Sequence, residues 1–249
     1  MCLVVVAVNP RAEWPLVVAA NRDERHARPA AALHWWPDRP GILAGRDRLA
    51  GGTWMGASAS GRFACLLNAP HGPAPPAAPS RGTLVPDFLE CADAAGWRRG
   101  LVDRYRRYAG FHLLTGDRHG VHCAARGQYR TGALGAGLHV VDNAGLDPDD
   151  PRSARARACI APLLAAGEPL ATILDALGDR ADPGAGAGDA RPVFIAARGF
   201  GTRCSTVLRI AADGRAECRE RRFDARGAVR GDAAFSWQCA DAAPAPCPG

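Results

Sequence analysis

The most restrictive feature of this sequence is an apolar run at its beginning, rich in β-branched residues. Residues 2–8 (CLVVVAV) carry no charge, and a second apolar run, residues 16–20, follows after Asn9-Pro10 has ended the first. Two such runs joined by a short polar connection predict a β-hairpin. Because polar residues do not alternate with apolar ones in either run, both faces of the hairpin have to be covered by other parts of the chain. The sequence therefore predicts that this hairpin is buried inside the fold.

The remaining pattern predicts an α+β domain with a sheet-rich core, because strands come first and last and helices lie between them. We expect one domain over residues 1–239, followed by a disordered Pro/Ala-rich tail over residues 240–249. Further strands are predicted at 33–36, 42–44, 63–68, 111–115, 121–125, 129–131, 138–142, 192–197, 205–210 and 216–222, with a last hairpin turn at Asp213-Gly214. Helices are predicted at 84–94, 97–105, from 149–153 to about 166, and at 168–177.

Composition excludes several classes of protein. The chain has 249 residues, of which 47% are hydrophobic, so global disorder is not expected. No apolar run approaches the roughly 20 residues of a membrane-spanning helix, and no secretory signal is visible. We therefore expect a cytoplasmic protein without a membrane span. The net charge of +6 comes from 31 arginines, with no lysine, scattered among 25 acidic residues, so nucleic-acid binding is not predicted either. The oligomeric state is left unspecified.

The cysteines do not predict a disulfide framework or a metal site. There are nine, an odd number, and no two form a C-x-x-C pair. Cys65, Cys91, Cys159 and Cys218 lie in apolar patterns and are expected to be small buried residues. The one metal-like cluster, residues 119, 122 and 123, lies in a predicted hairpin, where adjacent side chains face opposite sides. We expect neither a metal ion nor a cofactor.

Cys2 is the candidate nucleophile. Removal of Met1 would leave a free N-terminal cysteine that carries both a thiol and an α-amine. A thiol pKa of about 8.5 and an amine pKa of about 7.7–8.0 allow the amine to take the thiol proton near neutral pH. That arrangement is a nucleophile with its own base. The alternative, from its position alone, is that Cys2 is an ordinary second residue.

A dense polar cluster, Asn21-Arg22-Asp23-Glu24, ends the second predicted strand. In a hairpin it lies beside Cys2, where Arg22 could lower the pKa of the thiol and Asp23 or Glu24 could hold the ammonium group. A solvated turn would have a similar composition.

Three further polar residues stand at predicted strand ends. Asn68 and Asn143 each end a strand, and a neutral amide is a suitable donor for an oxyanion hole. Arg203 begins a strand and could reach an anionic group. Asparagine is also common in turns, and an arginine at a strand end is ordinary.

The order of these residues resembles the NRDE family, also called the transport-and-Golgi-organisation-2 family. The resemblance is carried by Met1-Cys2, Ala20-Asn21-Arg22-Asp23-Glu24, Gly51-Gly52-Thr53-Trp54-Met55-Gly56, Leu67-Asn68, Arg81-Gly82-x-Leu84-Val85, Asp142-Asn143 and Gly201-Thr202-Arg203. It extends from Cys2 to about Trp237. The family is grouped with the N-terminal-nucleophile (Ntn) hydrolases and is similar to the choloylglycine hydrolase and penicillin V acylase branch. This implies a four-layer αββα sandwich with two mainly antiparallel sheets.

The resemblance also implies a site and an activity. The implied catalytic residues are Cys2, Arg22, Asp23, Asn68, Asn143 and Arg203, and the implied binding residues are Asn21, Glu24 and Trp54. The implied activity is that of a cysteine amidohydrolase or acyltransferase, which acts on a non-peptide C–N bond of a small substrate through a thioester. The alternative is a non-catalytic haem or lipid binding and trafficking protein on the same scaffold, since fold does not settle function.

Two departures from the family pattern affect the site. The choloylglycine pattern orders the residue types of 21–24 differently, so which of these four residues faces the nucleophile stays open. Asn143 follows Asp142 where the family more often has serine. The identity of the substrate is not specified by the sequence.

Overall fold

The N-terminal hairpin forms the centre of the first of two sheets. Strand β1 (Leu3–Val8) pairs antiparallel with β2 (Leu16–Arg25), with Leu3 opposite Asn21. The structure, a computed structural model, describes residues 2–70, 75–125, 130–180 and 191–240. All six residues of β1 are buried, which confirms that both faces of the hairpin are covered. The tail beyond residue 240 lies outside the described residues.

Both sheets are antiparallel. The first sheet continues beyond the hairpin with β10 (Gly137–Val141) beside β1, and with β12 (Phe200–Ile210), β13 (Arg215–Phe223) and β14 (Val229–Gln238) beside β2, while the two-residue β11 (Ala196–Ala197) pairs with β12. The second sheet consists, in spatial order, of β3 (Ala30–Trp36), β4 (Arg39–Asp47), β5 (Met55–Ser58), β6 (Phe63–Asn68), β7 (Phe111–Asp117), β8 (Gly120–Ala125) and β9 (Arg130–Ala133). Spatial order equals chain order in the second sheet, so it is a meander.

The α-helices that the structure describes cover the outer faces of the sheets. Helices α1 (Leu84–Glu90) and α2 (Ala94–Arg104) pack on the second sheet, and α3 (Pro151–Ala166) and α4 (Leu170–Leu177) pack on the first. A third apolar core fills the space between the sheets. The four-layer αββα sandwich implied by the resemblance is therefore confirmed. None of these helices has the length and hydropathy that a bilayer crossing requires.

Side-chain alternation along β2 determines which layer each residue can reach. Ala19 packs under α3 and α4, whereas Ala20 packs between the sheets. Continued along the strand, the alternation puts residues 21 and 23 on the helix side and residues 22 and 24 on the inter-sheet side.

The predicted strand at 192–197 is wrong except for its last two residues, which form β11. The carbonyl of Val193 accepts hydrogen bonds from the side chains of Asn21 and Arg152. The N–H of Phe194 donates to the carbonyl of Asp179. Because these backbone groups are satisfied outside a ladder, most of the segment stays irregular.

The end of the first sheet also differs from the prediction. Gly214 makes the expected turn with a φ of +88°, but that turn is not the last, because β14 adds a further hairpin. The residues of β14 alternate between exposed and half-buried, so they lack the apolar run by which strands were predicted. The predicted helix at 84–94 is also interrupted, since Cys91 is extended between α1 and α2.

The eight cysteines within the described residues are all free. Cys65 and Cys218 are buried as predicted, whereas Cys91 and Cys159 are half-buried. Cys123 packs between the sheets.

A buried carboxylate, that of Glu220 on β13, lies between the two sheets. Strand β3 has a register shift between Ala31 and His34, and the Leu33 N–H at this irregularity donates to Glu220 Oε1 at 2.8 Å. Glu220 is 2% exposed, and this burial raises the pKa of its carboxyl group. The carboxylate thus satisfies a backbone donor that the ladder leaves over.

Candidate active site

Cys2 lies just before β1 and packs against the core between the sheets. Its thiol donates to the backbone carbonyl of Asp23, with 3.7 Å between Sγ and O. Burial, together with the negative charge of Asp23, raises the pKa of the thiol. A resting thiol with a raised pKa is protonated at neutral pH, so any nucleophilic chemistry at this sulfur needs a proton acceptor.

A polar cavity of about 140 Å³ lies beside Cys2. Six of the nine residues assigned to the site from the sequence line it: Cys2, Arg22, Asp23, Glu24, Trp54 and Asn68. The other three, Asn21, Asn143 and Arg203, lie outside its lining. Within residues 2–70, 75–125, 130–180 and 191–240, no three His, Cys, Asp or Glu side chains are grouped so that they could hold a metal ion.

Arg22 extends from the inter-sheet face of β2 over the ring of Trp54, with Cζ 4.2 Å from the ring centroid. Gly45 leaves room for that ring, because a Cβ at this position would collide with it. Nη2 of Arg22 lies 3.8 Å from Asp47 and 4.0 Å from Glu24, beyond hydrogen-bond length. Nη1 is buried and has no hydrogen-bond partner among the described residues. Arg22 is 6% exposed, so it presents a desolvated cation with an unused donor.

The carboxylate of Asp23 is on the helix side of β2 and is fully buried. Oδ2 accepts a hydrogen bond from Arg152 Nη2 of α3 at 2.7 Å, and Oδ1 accepts one from Thr202 Oγ1 of β12 at 2.7 Å. Burial raises the pKa of this carboxyl group, and Arg152 and Thr202 act in the opposite direction. Asp23 therefore faces Cys2 with its backbone carbonyl while its carboxylate is held from the other side.

Asn21 also faces the helix side and is fully occupied there. Its Nδ2 donates to the carbonyls of Leu177 and Val193 at 2.9 and 3.1 Å, and its Oδ1 accepts from Ser205 at 2.6 Å. These contacts join β2 to the end of α4 and to β12. Asn21 thus supports the strand and does not face the cavity.

Glu24 and Asp47 supply the negative charge on the cavity side. Asp47, at the end of β4, accepts a hydrogen bond from Arg28 Nε at 2.6 Å and two more from the backbone N–H groups of Leu49 and Ala50. Burial raises the pKa of Asp47, but these hydrogen bonds outweigh it and lower the pKa overall.

The second sheet contributes the far wall of the cavity through a close backbone approach. The N–H of Thr53 donates to the carbonyl of Gly82 at 3.0 Å. A Cβ on Gly52 would collide with that same carbonyl. Glycine at position 52 therefore lets the segment that carries Arg81 reach the cavity.

Asn68 and Asn143 are brought together, but only Asn68 lines the cavity. The Asn143 side-chain amide donates to the backbone carbonyl of Asn68. The carbonyl of Asn143 in turn accepts from His112 Nε2 at 3.2 Å. Asn143 is thus placed to position Asn68.

Arg203 supports the turn between β2 and β3. Its Nη1 donates to the carbonyls of Arg25 and Arg28 at 2.9 and 3.0 Å. Burial, followed by the nearby Arg22, lowers the pKa of its guanidinium. Arg203 thereby fixes the turn that carries Arg28.

Sequence reasoning missed four charged residues of the site and its support, namely Arg28, Asp47, Arg81 and Arg152. Arg81 belongs to one of the family motifs and directly precedes Gly82, the glycine that approaches Thr53. Its place in that motif was the available signal. Asp47 carries no local signal beyond the end of a strand. Arg152 lies 129 residues from Asp23, and nothing in the local pattern links the two.

Comparison with known proteins begins with a family model described as "Transport and Golgi organisation 2", which matches residues 1–225. The chain belongs to this family. A Transport and Golgi organization protein 2 homolog of Bos taurus is 29% identical over 258 residues, which cover 89% of this chain and 92% of that protein. A Mus musculus homolog is 33% identical over 125 residues, 47% of this chain and 45% of that protein.

Solved structures similar to this Transport and Golgi organisation 2 family member include Ntn hydrolases. A Caenorhabditis elegans N-acylethanolamine-hydrolyzing acid amidase ortholog aligns with a TM-score of 0.51 and 13% identity over 83% of this chain and 92% of that one. A mutant of the conjugated bile acid hydrolase from Clostridium perfringens aligns with a TM-score of 0.54 and 9% identity over 94% of this chain and 92% of that one. At such identities the likeness establishes the fold alone.

Proposed function

We propose that this protein is a cysteine amidohydrolase or acyltransferase that cleaves a non-peptide C–N bond through a thioester on Cys2. The observation that carries the proposal is the position of the Cys2 thiol, at the head of a buried strand and in the wall of a polar cavity. The cavity also contains a desolvated cation, Arg22, and a side-chain amide, Asn68. Two fold neighbours whose names describe hydrolases support the same reading.

The proton acceptor in this proposal is the α-amine of Cys2 after removal of Met1. The pKa of the thiol is raised by burial and by Asp23, so the sulfur does not ionise on its own at neutral pH. An α-amine with a pKa of about 7.7–8.0 is partly unprotonated there and can accept the proton. Arg22, on the same face of the sheet as the thiol, stabilises the thiolate by its charge.

The reaction then proceeds by acyl transfer. The sulfur attacks the amide carbon, an S–C bond forms, and the carbonyl oxygen becomes an oxyanion to which the Asn68 amide donates. The C–N bond breaks as the ammonium of Cys2 returns the proton to the leaving amine. Water, or an acceptor amine or alcohol, resolves the thioester. Asn143 contributes by holding the backbone of Asn68.

The cavity favours a small polar substrate over the haem or lipid of the alternative reading. Its volume of about 140 Å³ is below the roughly 300–1,000 Å³ of sites for larger ligands, and those sites are mostly apolar. Arginines and carboxylates make up much of this lining.

Labelling with activated acyl donors tests the proposal. Intact-mass analysis should find Met1 absent, and peptide mapping should find the acyl group on residue 2. Cys2→Ala should abolish labelling and turnover without unfolding the protein, and Cys2→Ser should retain a trace. Cys65→Ala and Cys218→Ala are the matched controls, and their rates per folded molecule should stay near the wild-type value. Full activity of Cys2→Ala, or Met1 retained on active protein, would refute the mechanism.

A further inference from the structure

The cavity beside Cys2 has more positive than negative groups facing it. Three arginines line it, Arg22, Arg28 and Arg81. The carboxylates on the same side are two, Glu24 and Asp47, because the third lining acid has its carboxylate on the helix side, bound to α3. Three cations against two anions leave an excess of one positive charge.

The two carboxylates are committed to other partners. Asp47 accepts a hydrogen bond from Arg28 Nε at 2.6 Å and two more from backbone N–H groups. Glu24 accepts from the backbone N–H of Arg25 at 2.8 Å and lies 3.9 Å from Arg28. Arg28 is therefore the cation that Asp47 holds by a hydrogen bond, whereas Arg22 Nη2 lies only at ion-pair distance from the two acids, 3.8 Å from Asp47 and 4.0 Å from Glu24.

Arg81 is the cation without a counterion. Within residues 2–70, 75–125, 130–180 and 191–240, no carboxylate forms an ion pair with it, and its Nη1 donates to the neutral carbonyl of Gly110 at 2.6 Å. Burial and the like charge of Arg28 lower the pKa of Arg81. Holding a half-buried guanidinium beside a second one is unfavourable unless an anion joins them.

Arg22 supplies the second, independent observation. Its Nη1 is buried, lacks a hydrogen-bond partner among the described residues, and belongs to a side chain that is 5% exposed. A buried donor of this kind costs free energy until an acceptor reaches it. Guanidinium groups bind carboxylates with charge-assisted, often bidentate hydrogen bonds.

We infer that the substrate of the proposed reaction is a carboxylate-bearing small molecule whose carboxylate lies against Arg81 and Arg22 Nη1. This rests on the proposed function only in that the bound molecule is also the acyl donor. The anion neutralises the excess charge of the cavity and places the scissile group beside the Cys2 sulfur. Neutral amides of the same size are poorer ligands, because they leave Arg81 without a counterion.

The test compares two alkylating reagents of nearly equal size at Cys2, anionic iodoacetate and neutral iodoacetamide. Both react by the same displacement, in which sulfur replaces iodide, so their rate ratio relative to free cysteine measures the charge preference of the cavity. We expect the wild-type ratio to favour iodoacetate roughly tenfold, as one charge-assisted contact would give. Arg81→Gln should bring the ratio near one, and Arg81→Lys should retain most of it.

Arg48→Gln is the matched control, because Arg48 is exposed and does not line the cavity. It removes the same net charge and should leave the ratio unchanged. An equal fall in Arg48→Gln and Arg81→Gln, or no fall in Arg81→Gln, would overturn the inference.

A binding measurement separates this inference from the proposed chemistry. In Cys2→Ala, which cannot react, glutarate should raise the Tm more than uncharged glutaramide at equal ionic strength, and adding Arg81→Gln should remove the difference. If iodoacetamide does not label Cys2, the proposed nucleophile fails while the Tm comparison still decides the ligand. If glutarate has no advantage over glutaramide, the carboxylate inference fails even when Cys2 is reactive.

Discussion

Arg152 Nη2 donates to Asp23 Oδ2 at 2.7 Å, across 129 residues of chain. The Asp23 side chain is 0% exposed and that of Arg152 5%. This pair ties α3 to the strand that carries Arg22, on the face opposite the cavity. The position of Arg22 beside Cys2 thus depends on a contact made in another layer.

Breaking this pair is expected to destabilise the protein strongly. Arg152→Met leaves the Asp23 carboxylate buried without its cation, which costs about 3–5 kcal/mol of the free energy of unfolding. Urea denaturation measures the loss. Arg215→Met, in the exposed pair with Glu13, is the control and should change stability little. Equal losses of unfolding free energy in the two variants would contradict a stabilising role of the Arg152–Asp23 pair.

Substitutions of Asn68 and Asn143 are expected to affect the acylation rate differently, because only Asn68 is the proposed oxyanion donor. Asn68→Ala removes the proposed oxyanion donor and should lower the acylation rate about 100–1,000-fold. Asn143→Ala removes the contact that holds Asn68 and should lower the rate less. Alkylation of Cys2 by iodoacetamide forms no oxyanion and should stay near the wild-type rate in Asn68→Ala. A parallel loss of alkylation would show that Asn68 maintains the thiol instead.

The close approach of Gly52 to Gly82 predicts an intolerant position. In Gly52→Ala the new methyl group meets a backbone carbonyl that cannot rotate away, so the Arg81 segment has to shift. We expect a loss of about 1–3 kcal/mol in unfolding free energy, together with slower labelling of Cys2. Gly41→Ala, where nothing lies within 4 Å of the new atom, should show neither effect. Wild-type labelling in Gly52→Ala would mean that the far wall of the cavity is dispensable.

Glu220 predicts a pH dependence of stability. Burial raises the folded-state pKa of its carboxyl group above the ordinary value of 4.5, so the folded state binds the proton more tightly than the unfolded state. Its contribution to stability is therefore complete below the unfolded pKa and is lost as pH rises through the folded one. Glu220→Gln, which keeps an oxygen for the Leu33 N–H, should flatten the decline in unfolding free energy above pH 4.5. A variant curve parallel to the wild-type curve would assign the decline to other groups.

The parts of the fold that followed from the sequence are those with a strong local signal. The apolar run before Asn9 predicted a doubly covered strand, and pairing it with the next run brought the cluster of residues 21–24 next to Cys2. Strand β14 was not predicted, because its residues alternate between exposed and half-buried positions and form no apolar run. The irregular course of the segment at Val193 was not predicted, because side chains from distant elements satisfy its backbone hydrogen bonds.

The candidate site was predictable to the same degree. Strand pairing alone put the cluster of residues 21–24 beside Cys2, but it left open which of the four faces the thiol. The orientation of Asn143 and Arg203 depends on which carbonyl groups lie nearby after folding, and a single sequence does not encode that locally. For the same reason, the sequence did not predict that Arg152 is the counterion of Asp23.

Arg22 and Asp23 face opposite sides of β2, so the number of residues that precede them in the strand decides which side each one faces. A single residue inserted into β2 after Leu16 would exchange the two faces for everything that follows. The guanidinium that belongs beside Cys2 would then turn under α3, and the carboxylate that belongs there would turn into the cavity. Length changes at the exposed residues 11–13 of the connection before Leu16 leave the faces intact. Viable variants should therefore differ in length at these residues, and along β2 only by insertions of an even number of residues or by a compensating bulge.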